Sequence, residues 1–182
     1  MYDIRQDIDQ VLYTEEQLRV RTAELGQKIT DDYGQEKMMA VGILKGASVF
    51  MSDLIRQIHG PIEIDFMVVS SYGSSTESSG VVRILKDLEQ DIDGYHILLV
   101  EDIVDTGNTL SYLKNYLLHR GAKSVRICTL LDKPERRTSP VEIDYCGFTV
   151  PDEFIVGYGI DYAESYRNLP YVASLKRSVY EK

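Results

Sequence analysis

The chain has 182 residues, of which 43% are hydrophobic and 27% charged, values that suit one globular domain able to bury a core of its own. Its 29 acidic and 20 basic residues give a net charge of −9, a balance that argues against non-specific binding to nucleic acid or to an anionic membrane. No apolar run approaches the roughly 20 residues of a membrane span, and the charged opening Met1-Tyr2-Asp3-Ile4-Arg5 lacks the apolar core of a signal peptide, so a cytoplasmic location is expected.

Thr14 followed by Gln17 has the spacing of a capping box, and it predicts a helix from about Thr14 to Tyr33 with Leu18, Thr22, Leu25 and Ile29 on one face. Met38 to Leu44 reads as a fully buried strand. It turns at Lys45-Gly46-Ala47 into a helix begun by Ser48 and carrying Phe50, Leu54 and Ile58. Ile62 to Tyr72 and Val81 to Leu88 read as paired strands of a β-ribbon whose tip, 73–80, has no apolar side chain. Tyr95 to Val100 predicts another buried strand, Thr109 to Arg120 a helix, and Ser124 to Leu131 a strand. Strand-like segments follow near 141–150, 155–160 and 171–176. Strands alternating with helices predict an α/β fold, a mainly parallel twisted sheet flanked by helices, in one domain over residues 1–182. Cys128 and Cys146 lie in strand-like stretches without a Cys-x-x-Cys pair, and both are expected as buried thiols in a reducing compartment.

Residues 97–110 are the most informative stretch. An apolar run ends in Glu101 and Asp102, a short loop supplies Asp105, and Thr106-Gly107-Asn108-Thr109 leads into an amphipathic helix. Small and polar residues at a helix start make an anion cradle of free amides at the positive dipole end. Three carboxylates would repel a bare phosphate; the arrangement makes sense if the ligand also carries hydroxyls or Mg²⁺, which the acids can hold. A ribose phosphate is such a ligand. Ligands of parallel sheets bind beyond the carboxyl ends of the strands. The exits at Lys45-Gly46, Glu101 to Thr109, Asp132-Lys133 and Gly159-Ile160-Asp161 are therefore expected to wall one site. Taken singly, Asp105 suits a loop or capping aspartate as well as a catalytic one, Lys133 a solvated lysine, and Phe154 a core residue.

Val100 to Thr109, Leu44-Lys45-Gly46, Ser70-Ser71-Tyr72, Leu131 to Pro134, Pro151 to Tyr162 and Arg167, in that family's order, resemble the type I phosphoribosyltransferases. Within them the chain is similar to the hypoxanthine-guanine phosphoribosyltransferases, over about residues 8–176. The resemblance implies a type I phosphoribosyltransferase fold with a small hood from the N- and C-terminal segments and a flexible loop at about 71–80. It implies Mg²⁺-dependent transfer of the 5-phosphoribosyl group from phosphoribosyl pyrophosphate (PRPP) to hypoxanthine or guanine, giving IMP or GMP plus pyrophosphate in purine salvage. Asp105 would accept the proton from purine N7. Glu101 and Asp102 would hold the ribose hydroxyls and, with Asp161, Mg²⁺. Thr106, Gly107, Asn108 and Thr109 would cradle the 5-phosphate, Asn108 standing where some relatives carry lysine. Lys45, Gly46 and Arg167 would bind pyrophosphate, through a Lys45-Gly46 peptide that can be cis. Lys133 would donate to O6 of the purine, Phe154 would stack on it, and Ile155 and Asp161 would complete its pocket. Ser71 and Tyr72 would open a loop that closes over the reaction. A homodimer or homotetramer is implied, without nucleic-acid or membrane partners. A PRPP-binding regulator of nucleotide-synthesis genes is the alternative, and an enzyme for adenine, orotate or uracil a third, disfavoured by Lys133 with 154–161.

Overall fold

Thr14 begins the first helix as its spacing predicts. Its amide donates to Gln17 Oε1 at 2.9 Å and its hydroxyl accepts from the Gln17 amide at 3.3 Å, so α1 runs Glu15–Tyr33 and ends at Gly34. The computed structural model describes residues 3–71 and 82–181. The expected ribbon tip, Tyr72 included, lies outside the described residues.

The remaining elements follow, those between Met38 and Asp132 alternating as expected. They are β1 (Ile8–Tyr13), β2 (Met38–Leu44), α2 (Ala47–Leu54), β3 (Ile62–Ser71), β4 (Val82–Lys86), β5 (His96–Val104), α3 (Asn108–His119), β6 (Ser124–Asp132), β7 (Tyr145–Thr149), β8 (Ile155–Val156), β9 (Val172–Leu175) and α4 (Arg177–Tyr180). Six strands form one sheet in the order β4-β3-β2-β5-β6-β7. Only the β3–β4 pair in it is antiparallel. A second sheet, β1-β9-β8, joins the two ends of the chain.

Helices cover both faces of the larger sheet. Leu18, Leu25 and Ile29 of α1 and Phe50 and Leu54 of α2 pack on Leu98, Val100 and Cys128. Leu110, Leu113 and Leu117 of α3 pack on Met39, Val41, Ile97 and Leu99 of the other face. Each such side chain taken out of water contributes about 1.5–3 kcal/mol before the entropy of ordering is set against it. The result places every carboxyl-end exit of the parallel strands along one rim.

Several boundaries differ from the sequence reading: the strand expected near 141–150 is Tyr145–Thr149, and that expected near 155–160 is only Ile155–Val156. β5 does not stop at Val100: Glu101 and Ile103 pair with Thr129 and Leu131 of β6, so both acids are strand residues and the loop begins at Asp105. The second helix starts at Ala47 and tightens into a 3-10 turn at Ile55–Gln57. Ile58 is buried but lies beyond it. Ser48 does not cap that helix from outside; its hydroxyl donates to the Lys45 carbonyl at 2.7 Å. Finally, β1 was not expected at all.

Candidate functional site

Pairing with β6 carries Glu101 and Asp102 to the sheet rim, where pleating sends neighbouring side chains to different sides. Glu101 lines a cavity of about 240 Å³ with Ile43, Val104, Asp105, Thr106, Gly107 and Thr109. Asp102 faces Gly46, where an added Cβ would fall 1.6 Å from its Oδ2. Asp102 Oδ1 accepts from the Ile103 amide at 2.7 Å. Burial drives the Glu101 carboxyl well above the ordinary carboxylate range, and the adjacent Asp102 charge drives it further. Burial raises Asp102 too, opposed by its hydrogen bond with Glu101.

The loop after β5 is shaped by Gly107, whose φ of 82° is left-handed and whose missing Cβ would meet Arg137 Cδ and Val141 Cγ1, each at 2.8 Å. The first intrahelical bond of α3 runs from the Ser111 amide to the Gly107 carbonyl at 3.0 Å, so the amides before it have no acceptor within the helix. The Asn108 amide meets Thr106 Oγ1 at 3.4 Å. The Asn108 side chain is turned away from the helix start, accepting from Ser139 and Thr138. Three residues from 137 to 139 brace the loop from outside: the Thr138 and Ser139 amides both donate to the Thr106 carbonyl at 3.0 Å, and Arg137 reaches the Asp105 carbonyl at 3.3 Å while paired with Asp132.

A larger cavity, of about 610 Å³, opens on the other side of Asp105, its wall including Lys133, Phe154, Ile155 and Asp161. Ile103 and Asp105 line both cavities. Lys133 is only 7% exposed. Its ammonium donates to the Glu153 carbonyl at 2.5 Å and lies 3.7 Å from Asp152 Oδ1, so the solvated-lysine reading fails. Phe154, at 48% exposure, is a bare ring at the cavity wall, tilted on Tyr180 at 4.2 Å and edge-on to Tyr162 at 5.7 Å. Ile155 is buried in β8, an edge strand of the smaller sheet, so among the described residues one backbone edge of β8 has no strand partner.

Asp161 and Arg167, assigned separately from the sequence, pair with each other at 2.7 Å. Asp161 Oδ2 also accepts the Glu164 amide at 2.9 Å, and Arg167 donates to the Gly159 carbonyl at 2.8 Å. Arg167 Nε is buried with no hydrogen-bond partner among the described residues. Lys45 is exposed and pairs with Glu164 at 2.9 Å. The cis peptide is Leu44-Lys45 rather than Lys45-Gly46.

The expected metal set is not one cluster. Among the described residues no three His, Cys, Asp or Glu side chains gather into a metal site, because Asp161 is taken up by Arg167 while Glu101 and Asp102 sit at the β5 rim. Ser71 closes β3; Tyr72 is outside the described residues. Sequence reasoning missed Arg136, Arg137, Glu164 and Tyr180. The adjacent arginines after Asp132-Lys133-Pro134 were a visible signal; Glu164 and Tyr180 had none.

The phosphoribosyl transferase domain family matches residues 10–163. The chain is 52% identical to the hypoxanthine-guanine phosphoribosyltransferase of Bacillus subtilis, covering 98% of this chain and 99% of that one. It is equally 52% identical to the Streptococcus mutans protein of the same name, over 98% and 99%. The solved structure of a Staphylococcus aureus hypoxanthine phosphoribosyltransferase superposes with a TM-score of 0.96 at 49% identity, over 98% of this chain and 97% of that chain.

Proposed function

The chain belongs to the hypoxanthine-guanine phosphoribosyltransferases, and on that premise we propose that it transfers the 5-phosphoribosyl group of PRPP to hypoxanthine or guanine, releasing pyrophosphate and forming IMP or GMP in purine salvage. One observation carries the assignment of parts: Asp105 lies on the wall shared by the phosphate-type cradle and the cavity of Lys133 and Phe154. A base in the second and a sugar phosphate in the first would meet at that carboxylate.

A purine fits the larger cavity by chemistry. Lys133 offers donors and no acceptor, so it suits the O6 carbonyl of hypoxanthine and guanine and leaves the amino group of adenine without a partner. Phe154 supplies a face for stacking, and the open edge of β8 at Ile155 supplies main-chain groups to the base. On the donor side, the cradle from Thr106 to Thr109 holds the 5-phosphate, and Glu101 with Asp102 holds the ribose hydroxyls. Lys45, Gly46 and Arg167 meet the pyrophosphate, Arg167 by exchanging Asp161 for phosphate oxygens. As a ring nitrogen attacks C1 and the bond to pyrophosphate breaks, Asp105 accepts the N7 proton. Negative charge from Glu101 and Asp102 stabilises an oxocarbenium-like transition state.

Mg²⁺ fits this site as a companion of the substrate. Glu101 and Asp102 are crowded acids whose proton affinity is raised by burial and by each other, a charge excess that a cation relieves. Mg²⁺ characteristically takes one or two carboxylates and leaves its other positions to water and phosphate. When bound it would neutralise the departing pyrophosphate. Asp161 could join only after leaving Arg167.

The relatives' names are those of enzymes, and the regulator reading has no support among them. We further propose one domain, a homodimer or homotetramer, and a cytoplasmic location; no helix among the described residues is long and apolar enough to cross a membrane. The test is to incubate the protein with PRPP and Mg²⁺ and with hypoxanthine, guanine, xanthine, adenine or uracil. Nucleotide and pyrophosphate are expected with hypoxanthine and guanine. Turnover of adenine or uracil alone would refute the assignment of Lys133.

A further inference from the structure

Arg136 has no part in the scheme above, yet it lines the larger cavity. Its Nε lies 3.3 Å from Asp105 Oδ1 and its Nη1 lies 3.4 Å from Asp152 Oδ1. The same Asp152 oxygen is 3.7 Å from Lys133 Nζ. One planar guanidinium thus spans two carboxylates, one on the loop after β5 and one on the loop before β8. Among the described residues Asp105 Oδ1 is enclosed and accepts no hydrogen bond, and Arg136 is the cation in ion-pair range of Asp105.

The side chain does little for the fold. Arg136 sits in a one-turn 3-10 segment, Pro134–Arg136, held by main-chain bonds from the Arg136 amide to the Lys133 carbonyl and from the Arg137 amide to the Pro134 carbonyl, each 3.2 Å. Arg136, Asp105 and Asp152 are about half exposed in the open cavity, where such pairs contribute little. A purine filling the cavity expels water, and an unpaired charge there becomes costly.

We infer that Arg136 is a positioning residue that holds the Asp105 carboxylate toward the incoming base and passes its ion pair to Asp152 as Asp105 becomes protonated. This rests on Asp105 being the proton acceptor. In the reaction N9 of the base forms the bond to C1, the C1–oxygen bond breaks with its electron pair leaving on pyrophosphate, and the N7 proton moves to Asp105. Asp105 is then neutral and Arg136 loses its anion. Asp152, already within reach of the other end of the guanidinium, keeps the cation paired, so proton transfer strands no charge in the closed cavity. Lysine could meet one of the two carboxylates at a time but could not span them.

The test is the single-turnover rate of IMP formation from hypoxanthine, PRPP and Mg²⁺, with half-saturating concentrations and thermal midpoints, for Arg136→Gln, Arg136→Lys, Asp152→Asn, the Arg136→Gln/Asp152→Asn double variant and Asp105→Asn. Arg136→Gln is expected to slow the single turnover about 10- to 100-fold, the scale of a misplaced reacting group, with half-saturation within about twofold and an unchanged midpoint. Arg136→Lys is expected to recover part of the rate, and the double variant to be less impaired than the product of the single effects. A wild-type rate for Arg136→Gln, or single effects that multiply independently, would overturn the inference. If Asp105→Asn keeps the wild-type rate, the proton-acceptor reading fails and takes the inference with it; if Asp105→Asn is slow while Arg136→Gln is not, the inference alone fails. Should Arg136→Gln unfold, Arg136→Lys against Asp152→Asn makes the same comparison.

Discussion

Replacing Gly46 with alanine isolates the contact on which the donor side is built. The backbone at Gly46, with φ −57° and ψ −46°, is one that alanine adopts readily, so conformation does not oppose the change. Sterics oppose it. The new Cβ would stand 1.6 Å from Asp102 Oδ2 and 2.6 Å from its Cγ, and Asp102 cannot swing aside without giving up the 2.7 Å bond from the Ile103 amide. Losing that charge-assisted bond costs about 1–3 kcal/mol and overpacking costs about 1–3 kcal/mol more. The net loss is about 2–6 kcal/mol, or about 4–24 °C in Tm for a chain of this size. Thermal unfolding with and without PRPP and Mg²⁺, together with the half-saturating PRPP concentration, reads both effects. PRPP half-saturation is expected to rise at least about tenfold as Asp102 leaves the ribose position. Gly34→Ala is the control: its φ of 57° and ψ of −114° form a backbone suited to glycine, and among the described residues nothing lies within 4 Å of the new Cβ, so it should lose about 1–3 kcal/mol to backbone conformation and leave PRPP half-saturation unchanged. A Gly46→Ala protein with parental Tm and parental PRPP half-saturation would show that the packing of Gly46 on Asp102 does not organise the site.

Lys133→Met keeps the chain length and removes the donor that meets Glu153, and kcat/KM for hypoxanthine is expected to fall about 10- to 100-fold with weaker discrimination against adenine; an unchanged base preference in a competition assay would remove Lys133 from base recognition. Asp65 tests pH dependence. Burial opposes its charge, but the Glu89 amide at 2.9 Å, the Phe66 amide at 2.6 Å and the Lys86 ammonium at 3.0 Å outweigh burial and hold its carboxyl below the ordinary range. A folded-state value below the unfolded one stabilises at neutral pH and is lost as pH falls through the folded value. Asp65→Asn should therefore cost about 1–3 kcal/mol at pH 7 and progressively less in acid; urea midpoints whose difference widens in acid would contradict this. Burial pushes the Cys128 and Cys146 thiols above the ordinary range, so both are expected to alkylate slowly at neutral pH in the native protein and rapidly in denaturant, with mass spectrometry assigning Cys146, the less buried, as the first to react.

Features held by local chemistry could be read along the chain. The box of Thr14 and Gln17 depends on residues three apart, and α1 begins where that spacing puts it. The buried strand β2 and the first part of β5, Ile97 to Val100, announce themselves as apolar runs, because a parallel sheet covered on both faces leaves them no wet side. The cradle was legible for the same reason: Thr106, Gly107, Asn108 and Thr109 are consecutive, and the left-handed backbone at Gly107 is a demand that one residue type meets best.

What could not be read was set by partners distant in sequence. Glu101 and Asp102 look like a strand end by polarity, yet their pairing with β6, a segment about thirty residues later, extends β5 through them; strand pairing overrides residue preference. β1 exists because β9, from the far end of the chain, lies beside it, and its exposed Val11 blurs the alternation that would have marked it. The ion pairs follow the same rule. Arg136 meets Asp105 across 31 positions and Lys45 meets Glu164 across 119, and charge pairing has no periodicity to betray it. The motif residues therefore identify the family's chemistry, while the charges that hold those residues in place come from loops whose meeting only the folded sheet decides. That is why a basic pair such as Arg136-Arg137, conspicuous in a chain of net charge −9, could be noticed in the sequence and still not be given a role until Asp105 and Asp152 were found on either side of it.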